Sequence, residues 1–342
     1  MPAYNLQEVD SLEIQVVVND EVDQFSHSPN ALVQHKGSLG GIKTVPIPDP
    51  ESRGGASEEL KMSQICCGAL GFSAVVTVTK GESTHTLLFD TGPEEDVWER
   101  NCTRLGLDAG AIEHIHLSHW HRDHSGGMLK AISIINGQKA PSKPKVVVDL
   151  HPDRPAYRGV KSPTGGIISL EADPSFNAIE AAGAVLVKSD KVHSILDGTF
   201  LVSGEIPRVT DYETGMQRAV RFMPETKEWV TDMAITDERL VMCNLKGKGL
   251  VVFTGCSHAG VVNVARHAKE LGNGAPLYSI VGGYHLADAD PEKRKKSMDD
   301  LKALDPKLLM PGHCTGWKFK NLISQELGSR LVPIFAGTHY TL

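Results

Sequence analysis

The spacing of apolar residues divides the chain into short period-two runs and a few segments of helical period. Alternating and β-branched residues at 12–18, 74–79 and 84–89 predict strands, the last two joined as a hairpin through Lys80-Gly81-Glu82. A helical segment follows at 97–105, then the strand residues Ile115 and Leu117, then Met128, Leu129, Ile132 and Ile135 at helical spacing. Residues 146–148 read as a short buried strand. In the second half, 199–202 is strand-like, 233–236 is expected to pair with 240–244, and 250–253 is a buried strand. A helix over 261–271 is expected to close on Gly272 as a left-handed cap. After a strand at 277–281, Pro291 opens a helix whose Met298, Leu301 and Leu304 share a face. A last strand, 308–310, runs into Pro311-Gly312-His313.

Two stretches carry no period. Residues 26–57, rich in Gly, Pro, Ser and Asn, read as an ordered surface excursion or a flexible lid, and 151–166 reads as a loop. Both are expected to rim a pocket. The succession strand, Ser-His, Gly, helix occurs at Leu117-Ser118-His119 and again over 253–260, which suggests two similar halves facing one site. With no linker to divide them, the expectation is one domain over 1–342, with a loop-rich excursion at about 26–58.

Composition narrows the class. A hydrophobic content of 40% and a charged content of 23% describe an ordinary globular chain. A net charge of -7 without a basic stripe argues against a nucleic-acid partner. No apolar run reaches membrane-spanning length and the N-terminus lacks a basic-then-apolar pattern, so no membrane partner and a cytoplasmic setting are expected. Cys66 and Cys67 are adjacent, while Cys102, Cys243, Cys256 and Cys314 are scattered without CxxC spacing; reduced thiols are expected.

The densest chemistry is His119-Trp120-His121-Arg122-Asp123-His124, between a strand end and a helix start. Imidazole and carboxylate donors suit a borderline divalent ion, zinc first, with manganese or iron as alternatives. His119 and His121 can share one ion, and Asp123 and His124 can serve a second. No G-x-S-x-G nucleophile elbow and no G-x-x-x-x-G-K-[ST] phosphate loop is present.

The elements FDTG (89–92), HxHxDH (119–124), TGCSH (254–258) and PGHCTG (311–316) resemble the metallo-β-lactamase superfamily. TGCSH together with GGYHL (282–286) and HCTG resembles its dihydropterin-aminobenzene-phosphate synthase-like branch. The resemblance runs from about residue 12 to the C-terminus. It implies an α/β (α+β) fold, a four-layer αββα sandwich with metal at one edge of two facing sheets. It also implies His119 and His121 as ligands of a first ion, Asp123 and His124 of a second, and His313 as the last histidine ligand. Asp90 then orients the cluster without binding metal, since a ligating imidazole needs its other N–H held; the alternative is a turn cap before Gly92.

The middle motifs depart from the pattern. Many relatives carry a Gly-His before the second-half strands and a metal-bridging Asp in a Thr-Gly-Asp turn. Here Ser203-Gly204 is followed by Glu205, and Thr254-Gly255 by Cys256. His258 is the replacement ligand from that loop. Cys256 reads as a thiolate donor or as a small buried residue at a tight turn. Glu205 reads as a ligand, a substrate contact or a partner for Arg208. His285, after a strand and a Gly pair, reads as a substrate or proton-transfer residue or as a structural histidine. His114 and His116 are expected to pack or to support the cluster, and His27, His35, His85, His151, His193, His267 and His339 have no ligand-like context.

The leading expectation is a metal-dependent hydrolase, with one or two ions activating water against a small ester, lactone, thioester or phosphoester. Asp123 and His285 are its catalytic candidates beside the ions. A synthase-like transferase joining a pterin to an aminobenzene phosphate is the alternative, with Arg154, Arg158, Lys161, Arg208 and Arg218 available for phosphate. Iron-dependent redox chemistry on the same ligands is a third reading. A ligand-binding pseudo-enzyme is a fourth, against which the intact HxHxDH and His313 argue.

Overall fold

Period-two strands need a partner for their apolar face, and in this chain the two halves supply it to each other. The computed structural model describes residues 4, 6–23, 25–26, 28, 30–35 and 43–342. The reading of His27, and part of the excursion, fall outside these residues.

One sheet has eight strands, in the order Val185–Lys188, Val147–Leu150, His114–His116, Ser83–Phe89, Ser73–Lys80, Ser11–Val18, His339–Thr341 and Gln34–His35. The second has seven: His193–Ile195, Phe200–Val202, Val241–Leu245, Gly249–Thr254, Leu277–Gly283 and Leu308–Gly312 in line, with Glu8–Val9 beside Val241–Leu245. Ile14, Val76 and Phe89 of the first sheet share a buried cluster with Phe253, Val281 and Met310 of the second. The rings of Phe89 and Phe253 stand 6.1 Å apart across that layer.

Each sheet buries its other face under helices. Val264, Ala268, Met298, Leu301, Phe319 and Ile323, from Val261–Leu271, Pro291–Leu304 and Trp317–Leu327, cover the seven-stranded sheet. Trp98, Cys102, Ile132 and Ile135, from Glu95–Leu105 and Met128–Gln138, cover the eight-stranded one. The result is the four-layer αββα sandwich of the metallo-β-lactamase fold.

Three local expectations are corrected. Gly272 has φ -82°, so it is no left-handed cap; the positive φ of this helix is at its other end, where Gly260 has φ 100°. A Cβ on Gly260 would lie 2.1 Å from Cδ of Glu213, whose carboxylate accepts the first-turn N–H groups of Val262 and Asn263. Residues 233–236 do not pair with the strand Val241–Leu245, because Ile235 (φ 47°) turns the chain and Asp237, Glu238 and Arg239 then reach inward. The loop expected over 151–166 contains the strand Arg158–Lys161, part of a four-stranded antiparallel sheet with Ile167–Ser169, Ala219–Met223 and Glu228–Thr231. Within the excursion, Gln34–His35 extends the large sheet and Thr44–Pro46 pairs with Glu58–Leu60.

Candidate metal centre

Parallel strands end on a common edge, and here five of them deliver side chains to it. Ser83–Phe89 leads to Asp90, and His114–His116 leads to the HWHRDH run. On the facing sheet Gly249–Thr254 leads to Cys256 and His258, Leu277–Gly283 to His285, and Leu308–Gly312 to His313. Asp90, Ser257, His285 and His313 all have φ between 45° and 59°, a costly conformation for side-chain-bearing residues that concentrates at functional sites. Gly255 permits the approach of the two loops: a Cβ there would lie 2.2 Å from Oγ of Ser118.

Two donor sets result. Nε2 of His119, Nδ1 of His121 and Nε2 of His258 form a triangle with sides of 3.0, 3.1 and 3.1 Å. A ring nitrogen directs one lone pair or one N–H along one line, so hydrogen bonding does not account for three nitrogens converging this way. Tetrahedral zinc with Zn–N of about 2.0–2.1 Å separates its ligands by roughly 3.3 Å, close to the spacing seen. The second set is Asp123, His124, Cys256 and His313, with donor atoms all within 4.8 Å of one another. Cys256 also lies within that distance of His119 and His258, so one thiol borders both sets. Imidazole, thiolate and carboxylate are the donors zinc accepts, and these residues fit such an ion.

The outward nitrogens of His119, His124 and His313 are held. Asp90, wholly buried, accepts from Nδ1 of His124 at 2.6 Å and from N–H and Oγ–H of Ser118 at 2.7 Å each. Ser118 Oγ in turn meets Nδ1 of His119 at 2.9 Å. Asp20 accepts from Nδ1 of His313 at 2.8 Å. Each contact leaves Nε2 facing the cluster. Burial and neighbouring imidazoles hold His119 and His258 well below the usual imidazole range, and burial with the Arg158 charge lowers His121 to about 3. The first set is therefore neutral and has lone pairs free at physiological pH. Burial opposes the charge on Asp123, but His124 and His313 outweigh it and keep the carboxylate ionised.

Beside the donors opens a cleft of about 830 Å³, lined on the side of Cys256 by His285 and Cys314. The His285 ring is centred 4.4 Å from that of His258. Burial works against its protonation, yet the hydrogen bond and charge of the adjacent Cys314 thiolate raise it above the ordinary imidazole value. The rim differs from the one expected. It is built from Tyr212 and 214–218 on one side and from Ala287–Lys296 on the other; Val160 is the one lining residue from 151–166, and the described part of the excursion supplies none. Of the cations anticipated for phosphate, Arg218 lines the cleft, joined by Lys293 and Lys296, whereas Arg158 is buried against Asp237 and Asp232.

The ligand reading of Glu205 is a further correction. The residue is exposed, outside both donor sets, because the strand before it ends at Val202 and the chain then turns outward. Of the buried acids in this region, Glu238 has a carboxylate that accepts from the backbone N–H of His258 and of Ala259 at 2.7 Å each. Burial pushes it up to about 7, against the pull of those two N–H groups. Asp20, Asp237 and Glu238 escaped sequence reasoning; the local signal was acids directly after or before a strand, in Asn19-Asp20-Glu21 and Thr236-Asp237-Glu238. His114 and His116 are buried near Asp149, at 3.8 and 3.9 Å, away from the donors.

No protein-family profile matches the chain. A 7,8-dihydropterin-6-methyl-4-(β-D-ribofuranosyl)-aminobenzene-5'-phosphate synthase of Methanocaldococcus jannaschii is 26% identical over 276 residues, covering 78% of this chain and 88% of its own length. An uncharacterized protein of the same organism is 28% identical over 257 residues, covering 75% and 87%. Among solved structures, a metal-dependent hydrolase of the β-lactamase superfamily superposes with a TM-score of 0.66 at 21% identity, covering 96% of this chain and 98% of that one. Fold, strand-end histidines and sequence similarity agree: the chain has the metallo-β-lactamase fold and resembles the superfamily's dihydropterin-aminobenzene-phosphate synthase-like branch.

Proposed function

We propose that the protein is a hydrolase that holds two divalent ions, zinc in the native state, and cleaves a small ester, lactone, thioester or phosphoester. The observation that carries this reading is the pair of converging donor sets beside an open cleft. His119, His121 and His258 would hold one ion, and Asp123, His124 and His313 the other, with Cys256 shared between them. When bound, such ions lower the pKa of water from 15.7 to roughly 7 and polarise a carbonyl or phosphoryl oxygen.

The chain's own groups complete the chemistry. Asp123, ionised and only partly covered, can accept a hydrogen bond from a water entering the site and orient it. His285 faces the cleft with its proton affinity raised, so near neutral pH it can hand a proton to a departing oxygen or sulfur. Asp90 and Asp20 keep the tautomers of His124 and His313 fixed. Ligands drawn from both halves support reading residues 1–342 as one domain. Six unpaired cysteines, and no helix among the described residues long and apolar enough to cross a membrane, support a place in a reducing compartment such as the cytoplasm.

A second reading is favoured by the synthase relative and by Arg218 and Lys293 on the cleft: a transferase acting on a phosphate-bearing pterin or aminobenzene substrate. A chelator-sensitive screen separates the two. Metal-loaded protein is assayed on all four ester classes and on pterin plus aminobenzene-ribose phosphate. Turnover of an ester class, lost with chelator and restored by zinc, is expected. Inertness toward all four classes, with coupling of the pterin pair, overturns the hydrolase in favour of the transferase.

A further inference from the structure

Between the strands Glu228–Thr231 and Val241–Leu245 lie three consecutive charged residues, Asp237, Glu238 and Arg239, each at most 1% exposed. Burying one charge is costly, and burying three in a row requires a compensating partner for each. Asp237 pairs with Arg158 and Arg239 with Asp149, and the remaining polar partners lie in the two loops that carry the first donor set. Oδ2 of Asp237 accepts the N–H of Trp120 at 2.7 Å. Arg158, paired with Asp237, donates to the carbonyl of the same Trp120. Trp120 sits between His119 and His121, so both of its backbone polar groups are fixed. Arg239 continues along that loop: its N–H reaches the carbonyl of Ser118 at 2.8 Å and its guanidinium the carbonyl of Leu117 at 3.0 Å.

Glu238 turns the other way. Its two oxygens take the N–H groups of His258 itself and of Ala259. These two N–H groups are its hydrogen-bond partners among the described residues. The two loops so joined are 139 residues apart in sequence and descend from different sheets. Among the described residues no strand pairing spans that gap. What sets the distance between His258 and the His119–His121 pair is therefore a strut of adjacent side chains pointing in opposite directions.

We propose that Asp237 and Glu238 are positioning residues that set the affinity of the first ion by fixing its three imidazoles, without touching the ion. The proposal rests on the reading that the imidazole triangle holds metal. Partners one step behind metal ligands typically change affinity about 10–100-fold when altered. The strut predicts a loss of that size from either side, because a loop freed at one end leaves the triangle as surely as one freed at the other.

The test is made in His313→Ala protein, which weakens the second set and leaves the first to be read. This background and its Glu238→Gln and Asp237→Asn derivatives are stripped, titrated with cobalt(II) against a chromophoric chelator, and followed by visible absorption. Glu238→Gln keeps the shape but turns one acceptor into a donor that faces an N–H. The expected result is a dissociation constant raised about 10–100-fold in both derivatives, with weaker cobalt d–d bands as the tetrahedral set loosens. Glu238→Asp, which retains the carboxylate, recovers part of the loss. Unchanged affinity and unchanged spectrum in folded derivatives overturn the proposal, whatever their thermal midpoints. If Glu238→Gln does not fold, Asp237→Asn alone decides, since it leaves the His258 loop untouched. Absence of cobalt binding in the unmodified protein is a separate result, and it refutes the metal centre itself.

Discussion

Asp90→Asn removes the hydrogen bond that orients His124 of the second donor set directly, and disturbs His119 of the first only through Ser118. Asparagine occupies positive φ as readily as aspartate, so the backbone at φ 55° is not strained by the exchange. Its carbonyl still accepts the N–H of Ser118, but the amide nitrogen now faces Oγ of Ser118 and Nδ1 of His124, which stood 2.7 and 2.6 Å from the carboxylate. Two bonds to a charged acceptor are lost, at about 1.5–3 kcal/mol each, and a reoriented Ser118 hydroxyl returns about 1 kcal/mol. The metal-free protein should lose roughly 2–5 kcal/mol in urea unfolding. The effect on metal is more specific. An N–H opposite Nδ1 favours the tautomer with its proton on Nε2, the atom 3.2 Å from Cys256 and directed at the second ion. Affinity for that ion should fall about 10–100-fold, or about 1.4–2.7 kcal/mol, in chelator competition. The first set has its own anchors at Trp120 and His258 and should change less. A folded Asp90→Asn protein that binds the second ion as tightly as the wild type would refute the reasoning.

Three further outcomes follow from the same geometry. Cobalt-substituted protein should show a sulfur-to-metal charge-transfer band that Cys256→Ser abolishes; a band that survives the substitution assigns the thiolate elsewhere. In metal-stripped protein His121 titrates near 3, against an ordinary value of 6.5, so the unfolded chain binds the proton first. Stability from this group is complete above pH 6.5 and drains away as pH falls from 6.5 toward 3; a urea midpoint that stays flat across that window contradicts the assignment. Gly255→Ala would press a methyl group against Ser118 and should cost about 1–3 kcal/mol or more in urea unfolding, whereas a wild-type midpoint would show that the loops do not touch as described.

What was legible in the sequence was what is contiguous or motif-bound. HWHRDH declares itself in six residues, and Asp90, His258 and His313 sit in short Gly-containing turns after strands. Glu205 misled because a motif position was carried over to a residue whose strand ends three positions too early for its side chain to enter. The acids that do enter, Asp20, Asp237 and Glu238, lie in polar stretches indistinguishable from surface. Their partners are an imidazole 293 residues away, the N–H of Trp120 at a separation of 117 residues, and two N–H groups in the loop after the neighbouring strand Gly249–Thr254. Periodicity reports which face of a strand is apolar; it carries no information on which distant N–H a carboxylate will meet. The four-stranded sheet was missed for a related reason: Ile167–Ser169 is exposed throughout, so it lacks the half-buried alternation that identifies a strand.

The central claim is that two donor sets hold two catalytic ions. The most direct test is elemental analysis of protein reconstituted with zinc, compared with His121→Ala and His313→Ala and coupled to the ester, lactone, thioester and phosphoester screen. The account predicts two ions per chain in the wild type, one or fewer tightly held in each variant, and hydrolysis that disappears with chelator and returns with zinc. No retained metal, or turnover indifferent to chelator and to both substitutions, would contradict it.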